Sequence, residues 1–442
     1  MKSNIYNALK KYSTLSTVSF HTPGHKNDRF YKKFNVDITE LSFSDNLSKP
    51  SGIIKKAEED IATILGVKKS FLLTDGSTLG IFSLLYASKK WGSKIIIQKN
   101  SHISVYNALT FLGIEPIFLE QEIVNGLINP PTNASLKKAL EENPDASGFL
   151  LTSPDYYGKT VDLEYAKSLT EKSGKLLLVD NAHGAHIKFT DSSNYAGNFA
   201  DAFVDGAHKT LPVLTQGAIL NANKDDFTLE LEKAVKSFRT TSPSYPIMAS
   251  IESAVKYMAK NKERLVYLKK LVSSFKSYIK TLGFGILETD DFFKIVIDCG
   301  SVCSPEKIAA LLEKKNIFVE MTDGRYILLI ISIFTKKSHF NRLKRALKTL
   351  KIKREEIVER VNYPTLEREI SFLTAKKSKY ELVFVKDAEN RVLQDNLGVF
   401  PPCFPIGIAG EKVNKELINL LTEKYFGVED GKIKVVKWKE NL

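Results

Sequence analysis

The sequence predicts an α/β large domain with a mostly parallel sheet, followed by a smaller α+β C-terminal region. Three observations carry that expectation. Between about Ile53 and Ala222, short β-rich runs alternate with helical patterns, the rhythm of strands joined by crossover helices. The runs are almost continuously apolar rather than alternating, which suits strands covered on both faces. Beyond Thr241 a long helical stretch gives way to strands and helices in mixed order, the mark of an α+β unit.

In chain order, the expected strands are SFLLT (70–74), KIIIQ (94–98), PIFLE (116–120), GFLLT (148–152), KLLLV (175–179), DAFV (201–204) and GAILN (217–221). The last two lie too close for a crossover helix, which points to an antiparallel pair. The helical pattern PIMASIESAVKYMAKNKERLVYLKKLVSSFKSYIKTL runs to a weak boundary at GFG, 283–285. FKIVIDCG, the helix SPEKIAALLEKK, IFVEMTDGRYILLIISIF and a further helix follow. The prolines of GVFPPCFPIGIAGE exclude a regular helix there, and EKVNKELINLLTEKYF is expected to form one. The division expected is an N-terminal segment 1–45, a large domain 46–285 and a C-terminal α+β region 286–442.

With 43% hydrophobic and 26% charged residues over 442 positions, the chain has the composition of a soluble globular protein. It shows no run long enough to cross a bilayer and no apolar signal core at its start, so a cytoplasmic location is expected and a membrane partner is not. Cys299, Cys303 and Cys403 cannot all pair, and no histidine stands near them at ligand spacing; neither a disulfide framework nor a metal site is expected. The net charge of +13 raises the question of nucleic acid. Its lysines and arginines, however, are dispersed among acids at helical spacing, which describes solvated helix faces.

Open parallel sheets bind ligands beyond the carboxyl ends of their strands, and the polar residues collect there. Asp75-Gly76-Ser77-Thr78 follows the first strand and opens a helix; hydroxyls and unpaired amides at such a terminus form a phosphate cup, although a plain helix cap explains the same residues. His102 follows the second strand. After KLLLV come Asp180 and His183, and after DAFV come His208 and Lys209. A carboxylate ending a buried strand needs a cationic or hydrogen-bonding partner. A lysine in apolar surroundings loses hydration, so its neutral amine becomes accessible and can form a Schiff base; taken alone, Lys209 reads first as a strand-end lysine reaching water. Six of the seven histidines fall in these segments or in the N-terminal HTPGHK, which favours one shared site. An amine, a carboxylate, a hydroxyl-rich helix terminus and imidazoles are the parts that pyridoxal 5'-phosphate requires.

FHTPGHK, DNLSKPSGIIKKAEEDIA, LLTDGSTLG, NSHISVYNAL, LLTSPDYYGKTVDL, LLVDNAHGAH, AHKTLPVLTQGA and TTSPSY, with an echo at 399–411, together resemble the Orn/Lys/Arg decarboxylase family. That family lies within the fold-type-I PLP-dependent transferases, the aspartate-aminotransferase-like enzymes. The resemblance implies a pyridoxal-phosphate-dependent decarboxylase of arginine, lysine or ornithine serving polyamine synthesis. It implies that Lys209 carries the cofactor, Asp180 partners its ring nitrogen, His102 stacks on the ring and His183 bonds its hydroxyl. Ser77 and Thr78 would hold the phosphate, with Thr241 or Ser242 reaching in from a second subunit, and His208 would hold the substrate carboxylate or move a proton. It also implies a short form without the N-terminal wing of the large inducible enzymes, hence a homodimer.

Several positions depart from the family pattern. Gly206 stands where a phosphate-binding Ser is usual, Asn181 where a Glu is usual, and Pro401-Pro402-Cys403 and Ala409-Gly410-Glu411 replace PPG and PGE. An aminotransferase or lyase of the same fold is the nearest alternative, and a non-catalytic cofactor-fold protein a more distant one. Asp45 and Glu411 are candidates to receive the distal cation of the substrate, and ordinary loop or cap acids otherwise.

Overall fold

Every apolar run expected to form a strand does so in the computed structural model, which describes residues 3–15, 19, 22–23, 25–26, 36–124, 126–300, 302–349, 363–400, 403–421 and 425–438. His21, Pro401 and Pro402, named within the family motifs, lie outside the described residues. The strands are Lys69–Leu73, Lys94–Ile97, Glu115–Phe118, Ala146–Thr152, Leu176–Asn181, Ala202–Asp205 and Ala218–Ala222. The chain divides into two units: Met1–Ala87 with Thr152–Leu163 and Leu178–Val358, and Ser88–Leu151 with Glu164–Leu177 and Glu359–Leu442.

In the first unit, Leu176–Asn181 pairs in parallel with Ala202–Asp205. Ala218–Ala222 runs antiparallel to Ala202–Asp205 on one side and to Lys69–Leu73 on the other. Two reversals restore the direction, so three strands point the same way and their carboxyl ends open on one edge. Leu72, Leu73, Leu178, Val179, Phe203 and Val204 are fully buried, each worth about 1.5–3 kcal/mol, so this edge rests on a dry core. The helix Gly76–Ser88 lies against it closely at Gly80, where a Cβ would stand 2.4 Å from Val204 Cγ2. A four-stranded antiparallel sheet in the same unit is ordered Gly285–Leu287, Lys294–Asp298, Tyr326–Ile330, Met321–Asp323.

In the second unit, Ala146–Thr152, Lys94–Ile97 and Glu115–Phe118 pair in that order, all parallel. Tyr380–Phe384 pairs with Lys432–Val436, and Leu397–Val399 with Phe404–Gly407. The helix expected over 411–426 is shorter, Lys415–Leu420. The amides of Leu393 and Asn390 donate to the carbonyls of Glu411 and Val413, and Val413 N donates to Arg391 O. Those pairings hold 411–413 as extended chain, and the Asn414 side chain accepts from Leu417 N to start the helix only there.

The N-terminal helix Asn4–Ser13 is fastened by one carboxylate. Glu252, fully buried on the helix Tyr245–Lys260, accepts from the amides of Asn4 (2.6 Å) and Ile5 (2.9 Å) and from Ser3 Oγ (2.7 Å). Lys256 Nζ stands 2.6 Å from it and 2.6 Å from Asp60. A buried charge is tolerated when its lone pairs are filled in this way, and the positive end of a helix dipole adds to it. Replacing Glu252 with Ala removes one of the two carboxylates beside Lys256 and uncaps the helix, and is expected to lower stability by about 3 kcal/mol. Urea unfolding of the two proteins measures it.

Candidate active site

Strand register places the polar groups. Asp180 stands opposite Val204 and Asn181 opposite Asp205, so the chains leaving those strands, Ala182-His183 and Gly206 to Lys209, start side by side. The single turn Ala207–Thr210 then carries His208 and Lys209 on adjacent positions. Lys209 Nζ lies 3.1 Å from His183 Nε2. The other nitrogen of that ring, Nδ1, lies 3.0 Å from the Nζ of a second lysine, Lys294. Tyr156 packs edge-on against the imidazole, with ring centroids 4.7 Å apart, and its hydroxyl donates to Glu320 at 2.6 Å.

Burial sets the charges. Asp180 is buried, and the loss of water pushes its pKa up, opposed by Lys209 and by the Ala182 amide, which donates to Oδ1 at 3.1 Å. Burial likewise pushes the Lys294 ammonium down to about 8, against Asp291, Glu320 and Asp155, with Lys209 adding to the depression. His208 falls below its ordinary value chiefly through burial. Its Nδ1 sits 3.0 Å from Gly217 O, so the proton of the neutral ring is on Nδ1 and the lone pair on Nε2. Beneath this edge Asp205 accepts from the side-chain amides of Asn181 and of Asn221 (2.9 Å), and Ser70 Oγ donates to Asn221 at 2.7 Å. Burial carries Asp205 to about 7.

Ser77 and Thr78 occupy the first turn of the helix Gly76–Ser88, half-buried and exposed respectively. Gly76, with φ of 75°, joins that turn to the other side of the edge by donating its amide to Gln216 O at 2.9 Å. The left-handed backbone is one that glycine adopts without strain. Thr241 and Ser242 are exposed, ahead of the helix Tyr245–Lys260. In the second unit, His102 caps the helix Ile103–Leu112, its Nδ1 accepting from Ser104 N at 3.1 Å. Cys403, with φ of 70°, receives the Ile103 amide on its carbonyl at 2.9 Å.

A family model described as "Orn/Lys/Arg decarboxylase, major domain" matches residues 3–299. The chain belongs to the Orn/Lys/Arg decarboxylase family. The arginine decarboxylase of Bacillus subtilis is 31% identical over 94% of this chain and 92% of its own length, and that of Bacillus anthracis 31% identical over 93% and 91%. The solved lysine decarboxylase of Francisella novicida has the same fold, with a TM-score of 0.84 at 19% identity, covering 98% of this chain and 81% of that one. Membership makes the protein a pyridoxal-phosphate-dependent amino-acid decarboxylase of fold type I.

Against that family pattern, two departures have structural reasons. At Gly206 a Cβ would stand 2.5 Å from Ala182 O, so the backbone that brings Lys209 to His183 has no room for the usual serine. Asn181 donates to Asp205, and both are buried; a glutamate in its place would set two carboxylates against each other. The two acids considered for the substrate's distal cation are otherwise engaged. Asp45 accepts the amides of Asn46, Ser51, Gly52 and Ile54, and Glu411 is buried against Lys99 Nζ at 2.9 Å and Arg368 at 3.6 Å. The residue-by-residue reading missed Lys294, Tyr156 and Glu320. A signal for Lys294 was present in DFFKIVID, where a lysine opens an apolar strand as Lys209 follows one.

Gly206→Ser is expected to lower stability through the Ala182 carbonyl rather than to tighten phosphate binding; thermal unfolding and cofactor titration read the two effects separately. The pH dependence of Asp205 has a definite sign. Its folded pKa is raised above the unfolded value, so its contribution is complete below about pH 4 and is lost as pH rises through 7. Between pH 5 and 8 the wild type is therefore expected to lose about 2 kcal/mol more than Asp205→Asn, measured by urea unfolding at both pH values.

Proposed function

We propose that the protein decarboxylates a basic amino acid, arginine first and lysine or ornithine otherwise, releasing CO2 and the amine as a step of polyamine synthesis. The observation that carries this reading is the pairing, at one strand edge, of a buried carboxylate at Asp180 with the Lys209 amine held on His183. The residues suit pyridoxal phosphate: Asp180 lacks the full counter-charge that its burial calls for, and a protonated ring nitrogen supplies one. The relatives of 31% identity named arginine decarboxylase support arginine as the first substrate to test.

When bound, pyridoxal phosphate supplies an aldehyde that condenses with amines and a protonated ring that accepts the electron pair released as CO2 departs. Lys209 provides the amine that holds it covalently. Asp180 keeps the proton on the ring nitrogen, and His183 donates or accepts at the ring hydroxyl through Nε2. Ser77, Thr78 and the first amides of the helix Gly76–Ser88 hold the phosphate. By the family resemblance, His102 would stack on the ring. His208, with Nδ1 committed to Gly217 O, has Nε2 to steady the substrate carboxylate or to move a proton at Cα. Thr241 or Ser242 would complete the phosphate site of a second copy, in a cytoplasmic homodimer.

Incubating the purified protein with pyridoxal phosphate and each of the three amino acids, then identifying the product by mass, tests the reading. The amine and CO2 are expected; a keto acid would place the protein among aminotransferases instead. Lys209→Ala is expected to abolish covalent cofactor attachment and to reduce turnover by about 10³-fold. Full activity in that variant would overturn the assignment.

A further inference from the structure

One buried group in the first unit has no part in the roles above. Lys294 opens the strand Lys294–Asp298 and is fully buried. Its stem passes through a gap kept open by Gly158, where a Cβ would stand 2.8 Å from Lys294 Cγ and where φ is 92°. A lysine is rarely placed in such a position without a partner. Here the contact is His183 Nδ1 at 3.0 Å, on the ring whose Nε2 meets Lys209 at 3.1 Å.

Proton counting constrains this Lys–His–Lys row. A neutral imidazole has one N–H donor and one lone pair. It accepts from one ammonium and donates to one amine, so it cannot receive two ammonium groups at once. An imidazolium would donate on both sides and require both amines to be neutral. In either case the three side chains carry one positive charge between them, not two or three.

We propose that Lys294, acting through the His183 ring, sets the proton occupancy of Lys209 and keeps the Lys209 amine available as a nucleophile. In one arrangement the Lys294 ammonium donates to Nδ1, and Nε2–H donates to the lone pair of the Lys209 amine. In the other, Lys294 has given its proton to Nδ1 and Nε2 has given its own to Lys209. One proton crosses the row, the ring exchanges tautomers, and the total charge is unchanged. Among the described residues, Lys294 faces His183, Asp291, Asp155, Glu320, Tyr156 and Lys209, and Lys209 faces Asp180, His183, His208 and Lys294. Among the described residues, Asp291, Asp155 and Glu320 thus stand at the Lys294 end and Asp180 at the Lys209 end, which favours the first arrangement, with the charge on Lys294. Lys294 is a positioning residue in this scheme.

The inference rests on the assignment of Lys209 as the cofactor-bearing amine, and its test separates the two. Apoprotein is mixed with pyridoxal 5'-phosphate across a pH series, the product is reduced with borohydride, and the fraction modified at Lys209 is measured by peptide mass. Lys294→Met is expected to let Lys209 keep its proton, raising the midpoint of capture by about one pH unit and slowing capture about tenfold at pH 7. Lys294→Arg, which retains the charge, is expected to stay near the wild-type midpoint. An unchanged midpoint in Lys294→Met, or a shift of the same size in Lys294→Arg, would overturn the proposal. A wild type that captures no aldehyde at Lys209 would remove the cofactor assignment, and the tautomer then decides the relay. Nitrogen NMR of histidine-labelled apoprotein, with His183→Gln to assign the signals, is expected to show Nε2 protonated in the wild type and unprotonated in Lys294→Met. The same tautomer in both, or in wild type and in a Lys294→Gln variant should Met fail to fold, overturns it.

Discussion

Water exclusion at one strand edge is the constraint on which the site depends. Asp180, Asp205, His183 and Lys294 are all buried, in surroundings that disfavour charge and magnify every pairing. Each charge there is therefore decided by its neighbours rather than by solvent. Asp180 is pulled between burial, which raises its pKa, and Lys209, which lowers it. Asp205 is steadied by two amides. The two lysines are coupled because one imidazole stands between them.

The supporting structure follows from the need to bring backbones close at that edge. Gly80 lets a helix rest directly on Val204, Gly206 passes beneath the Ala182 carbonyl, and Gly158 leaves a channel for the Lys294 stem. None of the three contacts tolerates a Cβ at its present distance. Asn181 and Asn221 both bond Asp205, and Ser70 bonds Asn221, so these buried polar groups beneath Lys209 partner one another.

Much of the candidate site was legible along the chain. The strand runs are apolar because both faces are covered, and the residues after them are polar because that is where the sheet stops. Asp180, His183, His208 and Lys209 could be picked out on this ground alone, and their order matched the family whose model covers residues 3–299. The antiparallel turn of the last two strands followed from a connection too short for a helix. Other readings were incomplete because local pattern does not report distant partners. The helical periodicity of 411–426 is real, yet backbone pairing with 390–393 holds its first residues extended. Glu411 looked like a loop acid and is buried against Lys99 and Arg368.

By itself the sequence determined the strand runs and which polar residues, Asp180 and Lys209 among them, stand just beyond their ends, because hydrophobic period and residue chemistry are local properties. Tertiary structure alone decided that Lys294, 85 positions beyond Lys209, shares an imidazole with it. A proton's position depends on distances of about 3 Å between groups far apart in the chain, and no spacing in the sequence encodes those distances.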